Sequence, residues 1–392
     1  MAKNVLEWLE SSARKYPEKT AYESEGIRIT FSQVKSNAQK IGSGICKSDT
    51  GSRPIATLLD RDANTISAYL GIVYSGHAYA PIDSTLPDNR ILDILKILNP
   101  AIILTNYKHE KKIESLIVKS NIKCQILKYE DLIFSEIDEN ILSQIRKSMV
   151  SSEPLYVIFT SGSSGVPKGV ITSHASLINY IEAYAEMMSI NCEDRIGSQS
   201  PLDYIAAIRD IYLPLYKNAY SYIIPKEFFM QPSKLIKVMN DKKITCIGWS
   251  ASALSVLSKI GIFKEDKFIY LKKVCFSGSA IPTKVLREWQ VHLPTTFFVN
   301  QYGPTEATAS CTYYRIDHIV EENEDILIGI PYNNYKVFLL KEDNSLAKSG
   351  ELGEICIGGP VLALGYYGDK ERTRNAFVQN PLQVYYDDRI YL

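Results

Sequence analysis

The chain has 392 residues; 44 Lys and Arg balance 44 Asp and Glu, with 45% hydrophobic and 22% charged residues. At roughly 150 residues per domain this length supports two or three folding units with a large core. Zero net charge argues against a protein that grips nucleic acid or an anionic membrane through bulk charge, and the composition excludes disorder over most of the chain.

In chain order, "NVLEWLESSARKY" has the spacing of an amphipathic helix. Its charged, bulky surroundings lack the apolar core of a signal peptide, and no apolar run approaches the roughly 20 residues that span a bilayer. A soluble, cytoplasmic protein is therefore expected. "ITFSQVKSNAQKIGSGI" predicts a second helix entered from Thr30, and "DANTISAYLGIVYSG" a third closed by Gly76. Between them stand short apolar runs, "PIATLL" and "AIILTN", an alternation that suits βα units on a largely parallel sheet. Residues 105–150, rich in Lys, Glu and Ile, read as a peripheral helix and strand. The rhythm returns over about 190–310 in "LPLYKNAYSYIIP", "PSKLIKVMNDKKITCIGWS" and "YLKKVCFSGSAIPTKVLREW". Beyond 311, short strands split by turns suit a small β-barrel. The expected organisation is α/β: one subdomain over 1–190, a second over 191–310 with helices packed on its sheet, and the barrel over 311–392. Seven scattered cysteines without a C-x-x-C pair predict reduced thiols rather than a disulfide framework or structural metal.

The strongest chemical signal is "YVIFTSGSSGVPKGV", Tyr156 to Val170. An apolar strand runs into Thr160, Ser161, Gly162, Ser163, Ser164 and Gly165, and then Lys168. Small residues let the backbone approach an anion, hydroxyls and N–H groups can wrap phosphate oxygens, and Lys168 can neutralise charge. It is not a Walker loop, since Gly169 stands where Ser or Thr must follow the lysine.

This segment resembles the phosphate-loop signature of the adenylate-forming superfamily, which includes acyl-CoA synthetases, luciferases and the adenylation domains of nonribosomal peptide synthetases. Four further blocks stand in that family's order: "RITFSQV", "SGHAYAPIDSTLPDNR", "NQYGPTEAT" and "GELGEICIGGPVLALGYYGD". Their wording is similar to the peptide-synthetase branch. The resemblance implies ATP-dependent activation of a carboxylic acid as an acyl-adenylate, with release of pyrophosphate. It implies ATP and Mg²⁺ as cofactors, no nucleic acid or membrane partner, and transfer to the phosphopantetheine thiol of a carrier protein, with CoA as the alternative acceptor. Thr160 to Lys168 would hold the phosphates; Tyr302, beside Gly303, would stack on adenine and Asn300 would bond its amine. Thr305 would touch the α-phosphate, Glu306 would hold Mg²⁺, and Gly278, Ser279 and Ala280 would line the adenine pocket. A silent nucleotide-binding module is the alternative of a different class. Two departures stand out: Leu364 replaces the usual Arg of the "ARGY" element, and the sequence stops at "DDRIYL", before the family's "TGD" motif, hinge and C-terminal domain. The chain is therefore expected to be the N-terminal portion of a longer enzyme.

In amino-acid-activating relatives a "FDxS" block supplies an Asp for the substrate ammonium. A gapless match from "RDIYLPL" places Tyr204, Ile205, Ala206 and Ala207 there, with Ile205 at the Asp position. An aliphatic side chain cannot pair with an ammonium, so an ordinary α-amino acid is not the expected substrate. Asp203, two residues earlier, could take the pairing role or cap the following helix. The same mapping lines the pocket with Ala206, Arg209, Ser252, Cys275, Ser277, Gln301, Ala309 and Ser310. Arg209 would meet a second acidic or carbonyl group of the substrate, or pair with Asp203, Asp210 or solvent.

Overall fold

A computed structural model describes residues 2–48, 51–161, 165–264 and 266–392. The helices form where caps and apolar faces coincide. Val5–Lys15 starts at Asn4, whose side chain accepts from Leu6 N; Phe31–Ile45 starts at a reciprocal Thr30–Gln33 capping box. Ala63–Tyr74 follows an Asp62 cap, and Gly76 leaves its end at φ +80°. Residues 105–150 hold more helix than expected: Glu110–Ser120 and Glu139–Ser148 flank the strand Gln125–Lys128 and the one-turn helix Tyr129–Leu132.

Among the described residues the strands form three sheets. The seven-stranded sheet is parallel through Gln125–Lys128, Ile102–Thr105, Ile55–Leu59, Tyr79–Asp83 and Pro154–Ser161, then antiparallel through Pro167–Ser173 and Gly365–Tyr366. The nine-stranded sheet has a parallel centre, Thr20–Ser24, Tyr220–Ile223, Arg195–Ser198, Cys246–Ser250, Lys273–Ser277 and Phe297–Tyr302. Antiparallel strands flank it: Ile27–Thr30 at one edge, Thr312–Ile316 and Ile330–Pro331 at the other. The C-terminal strands, expected to form a barrel, make a four-stranded antiparallel sheet, Lys336–Leu340, Glu354–Gly358, Arg389–Tyr391 and Phe377–Gln379. Hydrogen bonding crosses positions 190 and 311, because Thr20–Thr30 pairs into the nine-stranded sheet and Gly365–Tyr366 into the seven-stranded one.

The core explains the layering. One apolar cluster joins inward residues of both large sheets (Tyr79, Tyr156, Cys275, Val299) to helices Val5–Lys15, Phe31–Ile45, Ala63–Tyr74, His174–Met187 and Ala207–Lys217. A second cluster fastens Pro232–Asp241, Ala251–Lys259 and Thr283–His292 to the far face of the nine-stranded sheet. A third fastens Asp88–Leu98 and Glu110–Ser120 to the far face of the other. Central helices thus lie between two sheets whose outer faces are also covered, as parallel sheets require. Parallel strands of a sheet end on one edge, so Cys246–Ser250, Lys273–Ser277 and Phe297–Tyr302 deliver their C-terminal residues to one place.

Candidate functional site

The phosphate-loop segment is a hairpin. Thr160 pairs with Lys168 and Ser161 with Pro167, so the connecting loop leaves at the strand ends. Gly162, Ser163 and Ser164 lie outside the described residues. Gly165 has φ +80° with open space around its Cβ position, so conformation alone demands glycine. Thr160 Oγ1 is buried without a hydrogen-bond partner among the described residues, an orphan hydroxyl where an anion's acceptor oxygens are expected. Arg90 braces the loop: Nη2 donates to Thr160 O at 3.1 Å and Nη1 to Gly165 O at 3.3 Å. Arg90 closes the "SGHAYAPIDSTLPDNR" block, whose wording alone gives it no role.

From the nine-stranded sheet, Phe297–Tyr302 passes through Gly303 into the turn Thr305–Ala307. A Cβ on Gly303 would stand 2.4 Å from Ser310 Cα and 2.7 Å from Cys311 N, so only glycine lets the two backbones touch. Thr308 (φ +51°) and Ala309 (φ +76°) adopt left-handed backbone, held by the bond from Thr308 Oγ1 to Val361 O. This turn buries Glu306 to 3% exposure. Lys168 Nζ reaches Glu306 Oε1 at 2.5 Å, and Tyr366 OH donates to the same oxygen at 2.6 Å. Tyr391 closes on the carboxylate too; burial, then the Glu306 charge, pushes its phenol up to about 12. Burial and the bond to Glu306 push Tyr366 up as well. Neither tyrosine was singled out from sequence; the "GYY" of the quoted C-terminal block was the available signal. The hairpin and the "YGPTE" block therefore meet directly.

Gly278, at φ +93°, and the exposed Ser279 and Ala280 follow the adjacent strand Lys273–Ser277. Tyr302 is partly exposed beside them, and buried Asn300 donates from Nδ2 to Leu327 O at 2.8 Å. Its Oδ1 has no partner among the described residues, so it can accept from an amine. Thr305 is half-buried on the turn. Among the described residues no cluster of three His, Cys, Asp or Glu could hold a metal. A buried carboxylate beside this hairpin suits Mg²⁺, whose other ligands are typically phosphate oxygens and water.

The acid side differs. Ile205 is buried in the central core and Tyr204 is half-exposed. The cap of Ala207–Lys217 is Ala206, without a side-chain bond, so Asp203 does not cap this helix. Asp203 instead accepts from Asp83 N at 3.2 Å; burial and then the Asp83 charge raise its carboxyl above the usual range. Arg209 makes no ion pair with Asp203 or Asp210 among the described residues, and its guanidinium bonds neutral acceptors. Cys275, Gln301 and Ser310 are buried, Ser252 is exposed, and Ala206, Ser277 and Ala309 are intermediate. All seven cysteines are free.

Comparison with known proteins agrees with this geometry. The chain is 29% identical over 380 residues to bacitracin synthase 1 of Bacillus licheniformis, covering 97% of the chain and 7% of that protein. It is 26% identical over 375 residues to D-alanine–D-alanyl carrier protein ligase of Bacillus cytotoxicus, covering 95% and 73%. The fold matches the nonribosomal peptide synthetase FmoA3 bound to alpha-methyl-L-serine-AMP (TM-score 0.87, 23% identity, 99% of the chain and 43% of the other). It also matches the Klebsiella oxytoca NpsA N-terminal subdomain bound to 3-hydroxybenzoyl-AMSN (TM-score 0.81, 17% identity, 100% and 95%). A family profile described as AMP-binding enzyme matches residues 9–367, and with the hairpin, the turn and the Gly278–Ala280 strip converging on one edge, the chain belongs to the AMP-binding enzymes.

Proposed function

We propose that this protein couples ATP to a carboxylic acid, forming an acyl-adenylate, and passes the acyl group to the phosphopantetheine thiol of a carrier protein. One observation carries the reading: Lys168 from the hairpin and Glu306 from the turn share a hydrogen bond beside the orphan Thr160 hydroxyl and the Asn300–Tyr302 wall. In the reaction a carboxylate oxygen attacks the α-phosphorus and the bond to pyrophosphate breaks. Two anions must approach, so the protein's task is charge neutralisation and alignment. Lys168 supplies a mobile cation, Thr160 and Ser161 supply hydroxyls, and Thr305 stands at the turn facing the same edge. Mg²⁺, held by Glu306, would supply further neutralisation of phosphate charge. Tyr302 and Asn300 fix the base.

The carrier-protein acceptor is supported by the D-alanyl carrier protein ligase relative; free CoA is the alternative. Ile205, buried and aliphatic, supports an acid without an α-ammonium, since leaving that charge unpaired costs on the order of a few kcal/mol, about 10² in specificity. A pyrophosphate-exchange screen of carboxylic acids with the full-length protein tests this. Acids lacking an α-amino group should exchange, and Glu306→Ala should abolish most of the signal. If a standard α-amino acid is best and Asp203→Asn abolishes it, Asp203 is the ammonium partner. If no acid exchanges and no non-hydrolysable acyl-adenylate mimic binds, the protein is a silent nucleotide-binding module.

A further inference from the structure

Arg90 stands in the first turn of the helix Asp88–Leu98, whose Ile91, Ile94, Leu95 and Leu98 are buried against the seven-stranded sheet. Lys112 pins the turn before that helix. Its Nζ donates to Ser84 O at 2.8 Å and Leu86 O at 3.4 Å, and lies 3.5 Å from Asp88 Oδ1. The backbone that carries Arg90 is thus fixed before any ligand arrives. Its guanidinium reaches one carbonyl on each side of the phosphate loop, Thr160 O before it and Gly165 O after it. A rigid fork of separate N–H groups can span two such acceptors, which a compact ammonium does poorly. Both partners are neutral, and among the described residues Arg90 makes no ion pair. Lys168, by contrast, is already engaged by Glu306. Arg90 is a cation with no carboxylate to release when an anion comes.

Strand register says from which side that cation acts. Thr160 pairs with Lys168, and Phe159 with Gly169. Cross-strand partners share a face and neighbours alternate, so Thr160 and Lys168 occupy one face of the hairpin and Phe159 the other. Phe159 packs into the apolar cluster beneath the helix Asp88–Leu98. Lys168 and the helix of Arg90 therefore flank the hairpin on opposite faces. Glu306 and the turn Thr305–Ala307 meet the Lys168 face. Arg90 lies across the hairpin from the groups expected to hold the α-phosphate, so it acts on the part of ATP furthest from the adenosine.

We propose that Arg90 is a positioning residue for the β- and γ-phosphates of ATP: it holds both ends of the phosphate loop at a set span and backs the loop with a second cation, opposite Lys168. It acts through the loop and need not touch the nucleotide. Pyrophosphate carries those two phosphates away, so Arg90 serves the triphosphate and pyrophosphate states and leaves the adenylate state alone. This rests on the acid-activating reading and adds which half of ATP the second cation serves.

The test is calorimetric titration of the full-length protein with the non-hydrolysable ATP analogue AMPPNP, with pyrophosphate and with AMP, all in Mg²⁺. Arg90→Ala should weaken AMPPNP and pyrophosphate at least about tenfold and leave AMP within about twofold, a split that a merely structural role would not produce. Arg90→Lys, which keeps the charge and loses the fork, should bind AMPPNP at least about threefold more weakly than wild type. Thermal melting checks that each variant folds; if Arg90→Ala does not, Arg90→Gln should show the same split. Equal weakening of AMP and AMPPNP in a folded variant overturns the proposal, as does an unchanged AMPPNP affinity. Full recovery in Arg90→Lys overturns the two-carbonyl brace. Wild-type protein that binds none of the three overturns the acid-activating reading and the proposal with it, whereas wild-type binding with an unmoved ratio overturns the proposal alone.

Discussion

The proposed nucleotide end, around Glu306, and the proposed acid end, around Arg209, bury opposite charges in opposite ways. At the first, Glu306 is nearly inaccessible, yet a lysine and two phenols surround it. At the second, Arg209 is equally inaccessible, and its hydrogen bonds go to carbonyls, an amide and a thiol, with the Tyr184 ring 5.5 Å from its guanidinium. A charge held by another mobile charge can trade partners when a phosphate or metal arrives. One held by backbone carbonyls cannot, because removing it leaves buried acceptors unpaired. The first end is built for exchange of ions, the second for fixed shape.

The comparison can be broken most severely at Gly303. Gly303→Ala drives a Cβ into the backbone of Ser310 and Cys311. It should cost about 3 kcal/mol or more, because backbone cannot move aside as a flexible side chain can. Urea denaturation measures this, and an unchanged midpoint would show that the contact is not rigid.

Asp210 offers a pH test of the acid end. Burial pushes its carboxyl up to about 6, although the Arg209 and Arg61 charges pull it down, and its Oδ2 has no hydrogen-bond partner among the described residues. A folded pKa above the unfolded value of about 3.9 means that the native state holds the extra proton between those values, so this group's stabilisation is full below about pH 4 and is lost as pH rises through 6. Asp210→Asn removes that slope. Relative to wild type, the variant should gain on the order of 2 kcal/mol between pH 4 and pH 7. Denaturation at both pH values decides; a constant difference refutes it.

At the nucleotide end, Lys168→Ala and Glu306→Ala should each lower adenylation at least about tenfold, near 1.4 kcal/mol of transition-state stabilisation. The double variant should cost less than the sum, since the pair shares one contact. Strict additivity would separate their roles. Tyr366→Phe should have the smallest effect, about 1 kcal/mol, from one lost bond to a carboxylate, seen as weaker Mg²⁺ dependence of ATP binding at nearly unchanged melting temperature. Equal loss at all Mg²⁺ concentrations would assign Tyr366 a packing role instead.

How much of this was legible follows the same divide. Local signals wrote the early helices, with Thr30 and Gln33 forming the capping box their spacing suggests. The nucleotide turn was legible because close backbone approach admits only Gly303, and an open positive-φ bend favours Gly278. Arg90, Tyr366 and Tyr391 escaped because their partners lie 60 or more residues away, and spacing along a chain carries no information about such contacts. Arg209 could be named from the motif mapping. Its partners could not, since Gly248, Cys275 and Gln301 become neighbours only through the register of three strands. Residues 105–150 were under-read because helices there bury only a few side chains.

The strand Gly365–Tyr366, which closes the outer edge of the phosphate hairpin, has a temporal consequence. Lys168 and Tyr366 stand 198 positions apart, so at about 5–20 residues per second the ribosome leaves roughly 10–40 s between them. Through that interval the nascent hairpin displays unpaired backbone groups along Pro167–Ser173, the kind of edge that recruits other strands. Chains arrested near residue 350 should therefore bind holdase chaperones and aggregate more readily than those released past 391, and their hairpin amides should exchange with deuterium faster. Lys168 and Tyr366 meet only after this interval, so translation speed between them becomes a determinant of yield.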